Sequence, residues 1–198
     1  MFKSLNPFWV TAAAVFCALL IPSLVQDGMF MDGMLYAAVA KNLAHGVGSF
    51  WFPQFSKTWL QFFHEQPPLV FGIQSVFFRV LGDSMYTERF YSFLTACING
   101  WLIHVLWKEF FRESELKKLS WIPFFLWITI PVCFWAFQNN MQENTMSVFT
   151  LSASLFILKG IYQNKTFLFL IGGIFVFLAS LSKGFPGLFP IAIAGFHW

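Results

Sequence analysis

The sequence has few charged residues, few cysteines and no marked excess of either charge. Asp, Glu, Lys and Arg make up 11% of the 198 residues, whereas soluble domains carry about 25%. This shortage excludes a soluble globular domain and a disordered segment. The three cysteines lie apart in apolar runs, which excludes a disulfide-linked secreted module and a Cys-based metal site. The scattered net charge of +3 excludes nucleic acid as a partner.

Apolar and aromatic residues are abundant instead. Hydrophobic residues make up 58% of the chain and aromatic residues 21%, including 29 Phe and nine Trp. So many large apolar side chains cannot all be buried in one core of this size. The mean hydropathy of +0.65 therefore indicates that lipid surrounds most of the chain.

Long uncharged runs predict the membrane spans. A helix crosses the bilayer core with about 20 residues, in a range of about 17–25. Five runs have roughly this length, and a sixth begins after Lys183 and continues to the end of the sequence. The sequence thus predicts an all-α polytopic helix bundle with about six spans. The runs cover residues 4–26, 90–107, 119–142, 144–158, 166–182 and 184–198.

One shorter apolar run, residues 67–78, decides the topology. With 12 residues it is too short to span, and we interpret it as lying flat on the membrane. The basic loop at residues 108–118 then faces the cytoplasm, as the positive-inside rule favours. This interpretation places a long loop, residues 26–88, on the outer face together with residues 138–143 and Lys183.

The outer loop has the pattern of two interfacial helices. The first is predicted over residues 32–46, with Asp32 as its N-cap and Gly46 just past its end. Leu35, Val39 and Leu43 form its apolar stripe. The second covers residues 67–81 and ends at Gly82. The aromatic residues between the two helices predict a belt at the membrane interface.

Three motifs in this order resemble the type-C polytopic glycosyltransferases, and more closely the protein O-mannosyltransferase and lipid A aminoarabinose transferase superfamily. Asp-Gly-Met-Leu-Tyr-Ala at residues 32–37 is similar to its Asp-Glu-x-x-Tyr-Ala segment. Glu-Gln-Pro-Pro-Leu at residues 65–69 and Ser-Lys-Gly at residues 182–184 are similar to its Glu-Lys-Pro-Pro-Leu and Thr-Lys-Gly segments. Gly33 replaces an acidic residue of the family, and Gln66 replaces a lysine associated with the donor phosphate.

The resemblance implies an inverting glycosyltransferase at the outer face of the inner (cytoplasmic) membrane. The donor would be a polyprenyl-phosphate-linked sugar, and the acceptor a glycan, a lipid or a protein. Because members of the family have further spans, residues 1–198 are expected to be the N-terminal part of a longer enzyme. A transporter fragment and a non-catalytic membrane subunit remain as alternatives, although ionisable residues clustered at one face favour chemistry on a lipid head group.

The resemblance also implies roles for individual residues. Asp32 is the candidate general base, and Glu143 the candidate second acid. No cofactor is certain, but a divalent metal ion is considered, with His64 and Glu65 as its candidate ligands. Structural alternatives remain open: Asp32 as an ordinary N-cap, Lys183 as a snorkelling lysine, Glu143 as a polar residue at a span end, and Arg89 as a helix-end anchor. The candidate substrate-binding residues are Tyr36, Glu65, Gln66, Arg89 and Lys183.

Overall fold

The computed structural model describes residues 6–196, and over this part the chain forms α-helices joined by turns and two short 3-10 segments. The predicted all-α class is confirmed. The α-helices are α1 (Pro7–Val25), α2 (Met31–Ala44), α3 (Leu69–Leu81), α4 (Met85–Phe110), α5 (Trp121–Thr129), α6 (Pro131–Gln138), α7 (Gln142–Gln163), α8 (Thr166–Lys183) and α9 (Ile191–Phe196).

Four of these helices, α1, α4, α7 and α8, are long and apolar enough to cross a membrane. A fifth span is present if α5 and α6 are counted as one, although they meet at an angle of 71°. The break lies at Pro131, which has no backbone N–H to continue α5 and is well suited to start α6. Where a sixth span was expected, the described residues form a 3-10 turn at Phe185–Leu188 and the short α9. Residues 197 and 198 lie outside the described part.

Arg89 shows that three helix ends meet at one end of the bundle. Its guanidinium donates hydrogen bonds to the carbonyl oxygens of Gln26 (3.4 Å) and Gly28, just after α1, and of Gln138, at the end of α6. Because Arg89 lies in the first turns of α4, α1 and α4 run in opposite directions. The chain between them therefore leaves and returns at the same face, as the flat interpretation of residues 67–78 requires.

The two outer-loop helices pack on each other. Val39 and Phe71 are fully buried, and Leu43 is nearly so, in an apolar cluster that also contains Tyr36 and Phe63. The predicted stripe of α2 therefore faces α3. Asp83, after α3, joins the two helices again, since its carboxylate contacts Lys41 at 3.2 Å and His45 at 2.7 Å. The hydrogen bond to His45 holds the pKa of Asp83 below its ordinary value.

The predicted N-cap role of Asp32 is wrong. Helix α2 begins at Met31, so Asp32 lies inside its first turn, and Phe30 occupies the N-cap position without a side-chain cap. The Phe30 N–H instead donates to Oδ1 of Asn139 at 2.6 Å. A contact with a distant segment therefore fixes the start of α2. The Asp32 side chain is left without a capping role.

The amide residues after α6, which the sequence predicts on the outer face, are buried in protein. Asn140 is 1% exposed and Gln142 is fully buried. The Nε2 of Gln74, on α3, donates to Oδ1 of Asn140 at 2.8 Å, and Nδ2 of Asn140 donates to the carbonyl of Gly33 at 3.4 Å. These bonds connect α2, α3 and the α6–α7 connection. They also give the buried amide of Asn140 the partners that water would otherwise supply.

Gly33 allows α2 to approach that connection very closely. A Cβ atom built at this position would lie 1.9 Å from the carbonyl oxygen of Asn139. No side chain fits there unless the backbone moves. The acidic residue found here in the resembling family is therefore sterically incompatible with this packing.

We expect the substitution Gly33→Ala to lower stability by about 1–3 kcal/mol or more, as overpacking against backbone does. The apparent melting temperature of the protein in nanodiscs measures the effect. Gly173→Ala is the matched control, because a Cβ at this position in α8 would meet nothing within 4 Å. A Gly33→Ala variant as stable as Gly173→Ala would contradict the close packing.

Candidate active site

A cavity of about 470 Å³ opens between the outer loop and the end of α8. One wall comes from the segment before α3, which contains the Glu-Gln-Pro-Pro motif, and another from the Lys-Gly motif that ends α8. Two motifs far apart in sequence thus line one space. The lining residues are Trp51, Pro53, Phe63, His64, Glu65, Gln66, Pro67, Pro68, Lys183 and Gly184.

An ion pair lies at the edge of this cavity. Glu143, in the first turn of α7, accepts a hydrogen bond from the ammonium group of Lys183, in the last turn of α8. Their opposite ends meet because α7 and α8 form an antiparallel hairpin through the short connection at Asn164 and Lys165. Each charge also suits its helix terminus, since an acid is favoured at the N-terminus and a cation at the C-terminus.

The second carboxylate oxygen of Glu143, Oε2, is buried and has no hydrogen-bond partner among the described residues. Buried acceptors normally have a partner, so this atom requires a donor from water or from a bound molecule. Lys183 itself keeps about a fifth of its side chain exposed. The pair therefore has one cationic and one anionic group available to a ligand.

Tyr36 lies where the fields of three carboxylates overlap. The residue is 5% exposed. Burial, followed by the negative charges of Asp32, Glu143 and Glu65, raises the pKa of its phenol to about 12. The hydroxyl therefore stays protonated at neutral pH and can donate a hydrogen bond. The charges of these three acids, which come from three separate segments, thus all act on Tyr36.

The sequence comparisons show which family the chain belongs to. A family model described as dolichyl-phosphate-mannose-protein mannosyltransferase matches residues 65–197, more than half of the chain. The chain belongs to this family. The predicted superfamily is thereby confirmed, and the protein is a multi-pass membrane member of a glycosyltransferase family. No curated protein and no solved structure matches the chain significantly.

The family match covers only part of the candidate site of this mannosyltransferase-family protein. It includes Glu65, Gln66, Glu143 and Lys183, whereas Asp32 precedes it. The structure nevertheless brings α2 to the same place through its packing on α3 and on the α6–α7 connection. The candidate role of Asp32 stays a prediction from the motif at residues 32–37.

Arg89 is not brought to the cavity. Its side chain is 4% exposed, and its guanidinium donates to the backbone carbonyls that join α1, α4 and α6. These contacts favour the alternative of a helix-end anchor over a substrate-binding role. Sequence could not separate the two, because both place an arginine at the start of a span.

The candidate metal ligands do not form a metal site in this arrangement. The His64 ring packs beside Phe62 and edge-on to Phe52. In the described part of the chain, no group of three or more His, Cys, Asp or Glu side chains could hold a metal ion. Since a divalent ion needs several convergent ligands, we derive no catalytic step from a metal.

Proposed function

We propose that this protein is an inverting glycosyltransferase, which moves a sugar from a polyprenyl-phosphate donor to an acceptor at the outer face of the inner membrane. The observation that carries the proposal is the cavity that Glu65, Gln66 and Lys183 line together, with Glu143 paired to Lys183 at its edge. All of them lie at the end of the bundle where the outer loop begins and ends. The other end carries the basic loop at residues 108–118, which the positive-inside rule places on the cytoplasmic side.

In the proposed reaction, an acceptor oxygen attacks the anomeric carbon of the sugar. The bond between that carbon and the phosphate oxygen breaks, and the phosphate leaves on its polyprenyl chain. The acceptor hydroxyl loses its proton to the carboxylate of Asp32, which acts as general base. A single displacement of this kind inverts the configuration at the anomeric carbon.

Lys183 is proposed to stabilise the departing lipid phosphate. Negative charge develops on the phosphate oxygen as the bond breaks, and a fixed cation lowers the energy of that state. Glu143 orients the ammonium group through their ion pair, and its free Oε2 remains available to a donor such as a sugar or acceptor hydroxyl. Among the lining residues of the cavity within the described chain, Lys183 is the only lysine or arginine.

Further hydrogen-bonding groups complete the proposed site. Gln66 lines the cavity where the resembling family has a lysine, and its amide can both donate and accept hydrogen bonds. The protonated hydroxyl of Tyr36 and the carboxylate of Glu65 add one donor and one acceptor. Sugar hydroxyls need such pairs of donors and acceptors.

Transfer from a lipid-linked donor tests the proposal directly. Membranes containing the protein should transfer labelled mannose, glucose or aminoarabinose from polyprenyl phosphate to a glycan, lipid or protein fraction, with release of polyprenyl phosphate. Membranes without the protein are the control. Transfer from none of the three donors, combined with uptake of a solute into sealed vesicles, would support the transporter alternative. Donor binding without transfer would support a non-catalytic subunit.

A further inference from the structure

A tight hairpin in the outer loop carries two aromatic residues at its tip. The N–H of Ser49 donates to the carbonyl of Phe52, and the N–H of Phe52 donates to the carbonyl of Ser49, both at 3.1 Å. Gly48 and Pro53 form an antiparallel bridge just outside them. Gly48 has a φ of +81°, and a Cβ there would lie 2.7 Å from the Phe52 carbonyl oxygen. The turn thus depends on glycine.

The hairpin is fixed to the rest of the outer loop. The Phe50 ring lies directly on Gly72 of α3, where a Cβ would be 2.6 Å from Cε2 of the ring. On the other side, the N–H of Phe63 donates to the carbonyl of Pro53 at 2.8 Å. Phe50 also packs edge-to-face with Trp51, with ring centroids 5.0 Å apart. Phe50 therefore holds the indole of Trp51 in a defined position.

Trp51 presents a large aromatic surface to a cavity that polar side chains also line. It is 60% exposed, yet it lines the same space as Glu65, Gln66 and Lys183. Trp59, in the same loop, is 62% exposed but is not among the residues that line this cavity. An interfacial belt accounts for Trp59, whereas a belt does not require the indole of Trp51 to lie beside a carboxylate, an amide and an ammonium group.

A pyranose ring matches this combination of groups. Its hydroxyls need hydrogen-bonding groups, and its C–H face carries partial positive charge that suits the negative face of an aromatic ring. Ligand cavities usually combine such an apolar wall with a few placed polar groups. A sugar carboxylate would be repelled by the carboxylate of Glu65, which lines the same cavity.

We propose that Trp51 is the stacking platform for the donor sugar and a specificity-determining residue, and that the cavity takes a pyranose without a carboxylate. The inference rests on the proposed function, because it assigns the sugar part of the same lipid-linked donor. Lys183 binds the phosphate of the donor, whereas Trp51, Glu65 and Gln66 bind its sugar. The two parts of the donor are therefore separable by experiment.

The experiment compares binding of polyprenyl phosphate with and without a sugar to the purified full chain in nanodiscs. Polyprenyl-phosphate mannose, glucose and aminoarabinose are the sugar-bearing probes. The wild-type protein should bind at least one of them more tightly than bare polyprenyl phosphate. Trp51→Ala should weaken the binding of that probe about tenfold, close to the upper range for an aromatic contact, and leave the bare lipid phosphate unaffected.

Trp51→Phe should keep most of the preference for the sugar-bearing probe, because it retains an aromatic face. This variant replaces Trp51→Ala in the experiment if Trp51→Ala unfolds. Trp59→Ala is the matched control and should leave both affinities unchanged. Equal effects of Trp51→Ala and Trp59→Ala on binding of the sugar-bearing probe would overturn this inference but not the proposed function. A wild-type protein that does not prefer any of the three sugars would do the same. If the wild-type protein binds neither bare nor sugar-bearing polyprenyl phosphate, the proposed function fails as well.

Discussion

The substitution Asp32→Asn is expected to abolish sugar transfer while leaving the protein folded in the membrane. Asparagine has the same shape but cannot take a proton from the acceptor hydroxyl. Loss of a general base costs about 10²–10⁴-fold in rate. The Asp32 side chain makes no capping bond in α2, so its removal should not unfold the helix. Initial rates of transfer in nanodiscs, together with the apparent melting temperature, measure the two effects.

Asp27→Asn is the matched control for this experiment. Asp27 is an exposed carboxylate just after α1, on the same side of the bundle but not in a proposed catalytic role. Its replacement should leave the rate within about twofold, since surface substitutions away from a site have small effects. A normal transfer rate for Asp32→Asn would show that Asp32 is not the general base. Glu143, the other predicted acid, would then be the candidate.

The substitution Lys183→Gln is expected to lower turnover by about 10²–10³-fold, the usual cost of removing one group that stabilises developing charge. It also leaves the carboxylate of Glu143 without its partner, so the protein should become less stable. The loss of turnover should exceed any rise in KM, because phosphate charge is greatest as the bond breaks. Steady-state rates over a range of donor concentrations separate kcat from KM.

A charge exchange separates the structural contribution of this pair from its chemical one. The double substitution Glu143→Lys with Lys183→Glu restores an ion pair between α7 and α8 with the opposite orientation. We expect it to recover part of the melting temperature lost in Lys183→Gln, but not the rate. Recovery of the rate by the exchanged pair would show that Lys183 acts only as a link between the two helices.

The packing around Gly33 gives a physical reason for one departure from the resembling family. Where that family has an acidic residue next to its aspartate, this chain has a glycine whose Cβ position is filled by the Asn139 carbonyl. The close approach brings the connection before α7, and with it Glu143, toward α2. Gly33 thereby allows the backbone to bring Glu143, the proposed second acid, toward α2.

Several elements could be predicted because they depend on local pattern alone. Uncharged runs of membrane length gave the spans that became α1, α4, α7 and α8, since a bilayer accepts few charges in any arrangement. The spacing of Leu35, Val39 and Leu43 gave the buried face of α2. The length of residues 67–78 predicted a helix too short to span the membrane. The loop that contains this helix leaves and returns at the same face of the bundle.

By contrast, the sequence did not reveal which polar residues are structural. Arg89 and Lys183 both stand at the end of a span, yet one binds backbone carbonyls in the interior and the other borders the cavity. Asn140 was predicted on the outer face, and its burial between α2 and α3 could not be seen in the sequence. The predicted N-cap of α2 was wrong, and the N–H of Phe30 at the actual N-cap bonds to Asn139, a partner more than a hundred residues away that local sequence cannot reveal.

The sequence by itself determined that this chain is a membrane helix bundle of a glycosyltransferase family. Hydrophobic length, charge distribution and short motifs are sufficient for that, because each acts within one segment. Only the tertiary structure decided that Glu143 pairs with Lys183, that Arg89 is removed from the site and that Trp51 borders the cavity. Those outcomes depend on how closely separate segments approach, and a single glycine or one buried amide can determine that distance.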